Sequence, residues 1–199
     1  IDFGLAASPV ALIHGPPGTG KTTAVVELII QAVARGERVL ASAASNIAVD
    51  NMAERLLSYK GSGHKALRIV RVGHPARLLP TVLESSLEAR LATSEGASIC
   101  RDVKCEIEAA RAKLRKERAK GGRAALKSEV SELRRELTKR QRKAVTDLLS
   151  HAQVVLCTNT GAADRALGCL PPEFAFDMVV IDEAAQALEA SCWVALLRG

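Results

Sequence analysis

Aromatic residues are scarce in this 199-residue chain, at 3%: three Phe, one Tyr and one Trp. A surface that grips bases by stacking needs successive aromatic faces, so the chain has little stacking surface for bases. The five cysteines, Cys100, Cys105, Cys157, Cys169 and Cys192, are odd in number and form no C-x-x-C pair, and the four histidines lie far apart. That spacing argues against a zinc site or a disulfide framework and fits reduced thiols in an intracellular compartment, cytoplasm or nucleus. No apolar run approaches the roughly 20 residues of a membrane span. The first ten residues, IDFGLAASPV, carry no basic stretch of the kind that opens a signal peptide, and no initiator Met. The chain therefore reads as a piece of a longer protein.

What is present fits a soluble globular fold. Hydrophobic residues reach 48% and the mean hydropathy is +0.09. A chain of this length buries roughly 70% of its unfolded surface and needs no covalent staples. The net charge of +6 is concentrated: Arg101 to Ser150 holds 16 Lys+Arg against 8 Asp+Glu, a net of +8, which leaves −2 for the rest. One segment carrying the whole positive excess favours a polyanionic partner, and a solvated charged helix pair explains it equally well.

Short apolar runs alternate with helical patterns. PVALIH (9–14) reads as a strand entering a glycine loop, and a helix follows from Lys21 to about Ala34, closed by Arg35-Gly36. RVLASA (38–43) is the next strand. Ser45 or Asn46 caps a helix to about Tyr59 with Ile47, Met52, Leu56 and Leu57 on its apolar side, and Gly61-Ser62-Gly63 ends it. LRIVRV (67–72), QVVLCT (153–158) and DMVVID (177–182) complete the strands. Near-continuous apolar strands alternating with helices predict an α/β fold, a parallel sheet covered on both faces. From about 81 to 150 the pattern changes. Leu83, Leu87 and Leu91 mark a short helix. Two amphipathic arms follow, one through Ile99, Val103, Ile107, Ala110 and Leu114, the other through Leu126, Val130, Leu133 and Leu137, joined at Gly121-Gly122. The expected organisation is a motor domain in two parts, 1–80 and 151–199, interrupted by a basic helical hairpin at 81–150.

The segment HGPPGTGKTT meets the phosphate-loop pattern G-x-x-x-x-G-K-[ST] in full, between an expected strand and helix. Gly15, Pro16, Pro17, Gly18, Thr19, Gly20, Lys21, Thr22 and Thr23 form the candidate nucleotide site. Backbone N–H groups and the helix N-terminus would cradle phosphates, Lys21 would reach the β- and γ-phosphates of ATP, and Thr22 would ligate Mg²⁺. At a second strand end, Asp182 would hold the same Mg²⁺ and Glu183 would polarise the attacking water. Taken alone, Asp-Glu after a strand is equally an acidic pair favouring a helix N-terminus. The 161 positions between Lys21 and Asp182 are more than hexameric AAA+ ATPases typically show, and no N-K-x-D base-reading motif of GTPases is present. Trp193, Met52 and the helix leucines read as core, and Cys157 and Cys192 as buried thiols.

HGPPGTGKTT, SNIAVDNMAERL, RVGHPARLL, CTNTGA and VVIDEAAQALEASCW, in this order, resemble superfamily 1 helicases of the 5′-to-3′ branch. Within these the chain is similar to the immunoglobulin mu-binding protein type, related to the nonsense-mediated-decay RNA helicase. The resemblance implies a RecA-like P-loop NTPase fold and the first motor domain of an ATP-dependent DNA or RNA helicase. It places Ser45 and Asn46 at the nucleic-acid backbone, with Thr158, Asn159, Thr160 and Gly161 in a later motif beside them, and it adds Gln186 to Asp182 and Glu183 as catalytic residues. Ala44 departs from the family's Pro at that position, which would loosen the loop bearing Ser45 and Asn46. His74 and Arg77 match the family without an evident chemical role. The implied partner is single-stranded DNA or RNA without sequence preference, with ribosomal or RNA-processing complexes as further candidates, no membrane, and a monomeric state. The second motor lobe and the adenine-reading glutamine motif are expected outside these residues, so the piece alone would not unwind. An AAA+-like remodeller, or a non-catalytic RNA- or ribosome-binding module, are the alternatives.

Overall fold

A computed structural model describes residues 1–6, 9–16, 18–59 and 66–199. Pro17 and Gly61-Ser62-Gly63 lie outside the described residues. Four parallel strands, β1 (Val39–Ala43), β2 (Ile69–Arg71), β3 (Val154–Thr158) and β4 (Met178–Asp182), form one sheet in the order β2-β3-β1-β4. Every pair is parallel, with Ala43 opposite both Thr158 and Asp182. Parallel neighbours need crossovers, and the covering helices supply them. β1 is buried along its whole length, as a central strand covered on both faces must be.

After a short N-terminal helix, α1 (Asp2–Ala6), come α2 (Lys21–Ala34) and α3 (Asn46–Ser58). These two pack on one face, where Ile29, Val33, Met52 and Leu56 meet Val39, Ala41 and Leu156. The opposite face is covered by α4 (Leu87–Thr93), the C-terminal end of α6 (Lys120–His151), α7 (Glu189–Leu196) and the short turn Leu167–Cys169, through Leu87, Leu149, Ala195 and Leu167 against Leu40, Val70 and Val155. The period-2 alternation of β1 and β3 thus feeds two cores. Leu156 is fully buried; Leu156→Ala would cost about 2–5 kcal/mol.

Between α4 and α6 runs α5 (Glu95–Lys116), which pairs with α6 as an antiparallel hairpin through Val103, Ile107, Ala110 and Val130, all buried. The turn is not at the glycines. It spans 117–119, and Gly121 and Gly122 belong to the first turn of α6. Glu117 explains this. Its Oε1 accepts the Ala119 N–H at 2.8 Å and its carbonyl accepts Arg123 Nη1 at 3.2 Å. A Cβ at Gly122 would come within 2.8 Å of the Glu117 side chain, so the glycine makes room for this cap.

Other expectations also change. Residues 9–14 form no strand, and Val10 and Leu12 are 67% and 85% exposed. A strand needs an edge to take up its N–H and C=O groups; β4 bonds only to β1, and 9–14 form no backbone hydrogen bonds with it among the described residues. On α3, Met52 and Leu56 are buried but Ile47 and Leu57 are exposed, because the buried stripe follows Val49, Met52, Ala53 and Leu56. Trp193 is not core: it is exposed, with its indole N–H donating to Glu189 Oε1 at 3.3 Å. Cys157 is fully buried and Cys192 only half-buried. Among the described residues no helix is long and apolar enough to cross a membrane.

Candidate functional site

The site lies at the carboxyl ends of the strands, where open parallel sheets gather their functional loops. The phosphate loop enters α2 through Gly18 and Gly20, both left-handed at φ 80 and φ 86. Only glycine takes such angles without strain. Gly20 is the N-cap of α2 and Lys21 its first residue. Lys21 Nζ donates to the carbonyls of Gly15 at 2.8 Å and Pro16 at 3.1 Å, and Thr19 Oγ1 donates to Pro16 O at 2.7 Å. The loop therefore wraps its own lysine. A Cβ at Gly15 would approach Thr19 Oγ1 to 2.8 Å, so this close turn requires glycine there.

A cleft of about 480 Å³ opens beside the loop, lined by Lys21, Thr22, Thr23, Glu183 and Gln186, and by Arg55. Arg55 lies within the segment SNIAVDNMAERL, whose pattern gives no sign that it reaches this cleft. It sits in the last turn of α3 and donates from Nη1 to Thr23 Oγ1 at 3.0 Å. An exposed arginine on an amphipathic helix carries no signal of its own; only the packing of α3 beside α2 brings it to the cleft.

Across the cleft, Asp182 ends β4 at 7% exposure. Its Oδ1 accepts the backbone N–H of Glu183 at 3.0 Å. Burial pushes the Asp182 carboxyl above its ordinary range; the Glu183 N–H opposes this, the Glu183 charge adds to it, and Lys21 and Arg55 pull it back. Glu183 is the one described non-glycine residue with positive φ, at 53. Gln186 Nε2 donates to Glu183 Oε2 at 3.2 Å. Lys21, Thr22, Glu183 and Gln186 thus share one cleft, with Asp182 just behind it.

The expected nucleic-acid residues follow the same sheet edge. Ser45 is the N-cap of α3, its Oγ accepting the Ala48 N–H at 3.2 Å, and Asn46 opens the helix beside it. Ser45 is exposed, as is Ala44 before it. Next along the edge, Thr158 Oγ1 accepts the Gly161 N–H at 3.1 Å and lies 3.5 Å from Thr160 Oγ1. A Cβ at Gly161 would come within 2.9 Å of Thr158 Oγ1. Asn159 stands apart. It is 1% exposed, its N–H is bound to Ala43 O, and its Nδ2 points to Cys192 Sγ at 3.9 Å. The tight turn after β3 folds this side chain beneath the surface, so the structure does not present it with Thr158 and Thr160.

His74 now has a structural role: its Nδ1 accepts the Ala76 N–H at 3.2 Å and caps the turn Pro75–Arg77. Behind Asn46 lies a buried ion pair whose members stand in the segments SNIAVDNMAERL and RVGHPARLL but whose pairing the sequence does not signal. Arg71 on β2 and Asp50 on α3 are 0% and 1% exposed, and Arg71 Nε donates to Asp50 Oδ1 at 2.8 Å.

Comparison with known proteins gives the family. A family model described as AAA domain matches residues 1–199. "DNA-binding protein SMUBP-2" of Rattus norvegicus is 50% identical over 199 residues, covering 100% of this chain and 19% of that protein. "DNA polymerase alpha-associated DNA helicase A" of Schizosaccharomyces pombe is 41% identical over 197 residues, 99% of this chain and 28% of that protein. "Regulator of nonsense transcripts 1 homolog" of Arabidopsis thaliana is 33% identical over 198 residues, 96% of this chain and 14% of that protein. The chain thus spans 19% of the length of the SMUBP-2 relative that it matches end to end.

Proposed function

We propose that this chain, which belongs to the AAA domain family over all of residues 1–199, is the first RecA-like motor domain of an ATP-dependent superfamily 1 helicase. It would bind Mg-ATP and the backbone of single-stranded DNA or RNA, and couple hydrolysis to 5′-to-3′ movement and unwinding in the full-length protein. The organisation proposed is a motor domain over 1–80 and 151–199 with the basic hairpin inserted at 81–150. One observation carries the reading: Ala43, Thr158 and Asp182 stand in register at the carboxyl ends of three adjacent strands, so the nucleotide cleft and the polar loops leaving β1 and β3 are adjacent. Names of relatives support it, since two proteins at 50% and 41% identity are called a DNA-binding protein and a DNA helicase.

The residues fit their proposed tasks. Glycine φ angles turn loop N–H groups toward a phosphate. Lys21 and Arg55 would place two cations at the polyphosphate, Lys21 after exchanging its carbonyl partners for phosphate oxygens. The Thr22 hydroxyl and Asp182 carboxylate are hard oxygen donors of the kind Mg²⁺ takes. Mg²⁺, when bound, neutralises charge on the phosphate oxygens. Glu183 would accept the proton of the attacking water, and Gln186, already bonded to that carboxylate, would orient both. Ser45, Asn46, Thr158 and Thr160 offer hydroxyl and amide groups that suit sequence-independent contacts to phosphates and sugars.

The test is multiple-turnover ATPase of the full-length protein with and without single-stranded DNA or RNA. Stimulation by the strand, abolished by Lys21→Ala, is expected. Turnover indifferent to nucleic acid would move the reading to a protein-remodelling ATPase.

A further inference from the structure

Arg71 is the largest fully buried side chain among the described residues. Removing a guanidinium from water is costly unless its donors are met, and here they are met in a specific way. Nε bonds Asp50 Oδ1 at 2.8 Å, Nη1 bonds the carbonyl of Val72, and Nη2 reaches Asn46 Oδ1 at 2.9 Å. The other oxygen of Asp50, Oδ2, accepts the Leu79 N–H at 2.9 Å. Gly73 leaves room for the head group, since a Cβ there would meet Arg71 Nη1 at 2.8 Å. The network joins β2, α3 and the loop after β2, and its end is a half-buried side chain at the start of α3.

An arginine has five donors and no acceptor. The Asn46 atom facing it must therefore be the carbonyl oxygen, which fixes the amide in one of its two orientations and leaves the NH₂ group on the other side. We propose that Arg71 is a positioning residue for nucleic-acid binding, holding Asn46 with its carbonyl inward and its NH₂ donors toward the phosphates of the bound strand. An unrestrained amide is free to present its oxygen instead, and that oxygen repels phosphate. The clamp holds the loop from below, where Ala44 provides no proline stiffness of its own. This inference rests on the reading that Asn46 touches nucleic acid.

A double-mutant cycle in the full-length protein tests it, with Kd for a labelled single-stranded oligonucleotide measured beside thermal melting. Asn46→Ala should weaken binding by about 2- to 12-fold, the range for one net hydrogen bond. Arg71→Lys keeps the buried charge beside Asp50 but cannot reach Asp50 and Asn46 together, and should weaken binding to a similar extent. Gly73→Ala displaces the guanidinium without altering any charge and should do the same, which serves if Arg71→Lys melts too low to assay. Either variant combined with Asn46→Ala should bind no more weakly than Asn46→Ala alone, because residues acting through one contact are not additive. Additive losses, or wild-type affinity in both Arg71→Lys and Gly73→Ala, would overturn the positioning role and leave the Asn46 contact standing. Wild-type affinity in Asn46→Ala would overturn that contact and the inference with it.

Discussion

Glu183 holds the carboxylate of Asp182 with its own backbone N–H, at 3.0 Å, and does so from the left-handed region at φ 53. A non-glycine residue there costs on the order of 1–2 kcal/mol. The strain sits where the chain must turn off β4 while aiming the next carboxylate into the cleft, and strained backbone of this kind concentrates at functional sites. Function and stability therefore oppose each other at Glu183. Glu183→Gln should keep nucleotide binding and slow hydrolysis by about 10²–10⁴. Glu183→Gly should lose hydrolysis as well, yet be more stable than Glu183→Ala by about 1 kcal/mol, since glycine relieves the angle. Thermal melting and single-turnover ATPase on the three variants check this; an alanine variant as stable as the glycine one would remove the strain argument.

Asp182 makes a pH-dependent prediction. Its folded-state pKa lies above the unfolded value, chiefly through burial. The folded state thus binds the proton more readily, and the ionised side chain costs stability once the pH rises through the folded pKa. Asp182→Asn can keep the bond from the Glu183 N–H and has no charge to bury. It should melt higher than the wild type at pH 7, a gain of about 2–4 °C for each kcal/mol recovered. The gain should fade as pH falls below the folded pKa, where wild-type Asp182 is neutral too. The same substitution should remove the Mg²⁺ dependence of ATP binding. A variant less stable than wild type at pH 7 would show that the carboxylate has partners outweighing its burial.

Elements bounded by local chemistry are legible in the sequence alone. The bounds of α2 follow from Gly20-Lys21 at its start and Arg35-Gly36 at its end, and β1, β3 and β4 from apolar runs that only a doubly covered strand can bury. Features decided by a distant partner are not. Residues 9–14 have a strand's composition but no bonded edge beside them. The glycine pair at 121–122 looks like a turn until Glu117 reaches across it. Arg71 and Asp50 meet from 21 positions apart; both lie in segments that carry the family resemblance, RVGHPARLL and SNIAVDNMAERL, but nothing in either segment signals that the two pair. Within the cleft, Lys21, Thr22 and Glu183 have tasks legible from their motifs, whereas Arg55, though inside the segment SNIAVDNMAERL, enters it through the packing of one helix on another.

Arg55 should matter most for ligands with the most phosphate charge. Its guanidinium bonds Thr23 and lines the same cleft as Glu183. Arg55→Ala should weaken ATP binding by about 12-fold, the low end for a charge-assisted bond. The loss should be smaller for ADP and negligible for AMP, and melting should be unchanged because the side chain is exposed. Competition with a fluorescent nucleotide gives all three affinities. Equal losses across the three ligands would mean that Arg55 shapes the cleft without meeting the polyphosphate.

The cysteines divide by burial. Burial pushes the Cys157 thiol up to about 12, against a smaller opposing pull from Arg71. Only the thiolate is nucleophilic, so Cys157 should resist alkylation in the folded protein while exposed Cys105 reacts. Mass spectrometry after iodoacetamide treatment, native and denatured, separates them, and native-state modification of Cys157 would require that core to open.

The basic hairpin supplies the last prediction. Arg134, Arg135 and Lys139 are exposed on α6, whereas Arg140 is already paired with Glu136 at 2.7 Å, one turn earlier on the same helix. Exposed pairs of this spacing contribute little to stability, about 0.3–0.5 kcal/mol, but they do consume the charge. If α6 runs beside the bound strand, neutralising Arg134, Arg135 and Lys139 should weaken binding by the full-length protein. The slope of log K against log salt should fall by up to about 0.7 for each phosphate of the single strand that is no longer neutralised. Neutralising Arg140 should change the slope less than any of the three, because Glu136 already offsets it. Melting should stay constant throughout, since none of these side chains is buried. A slope unchanged in the triple variant would leave the net +8 of the segment as the solvation of a long, mostly exposed hairpin, and would confine the nucleic-acid interface to the sheet edge around Asn46 and Thr158.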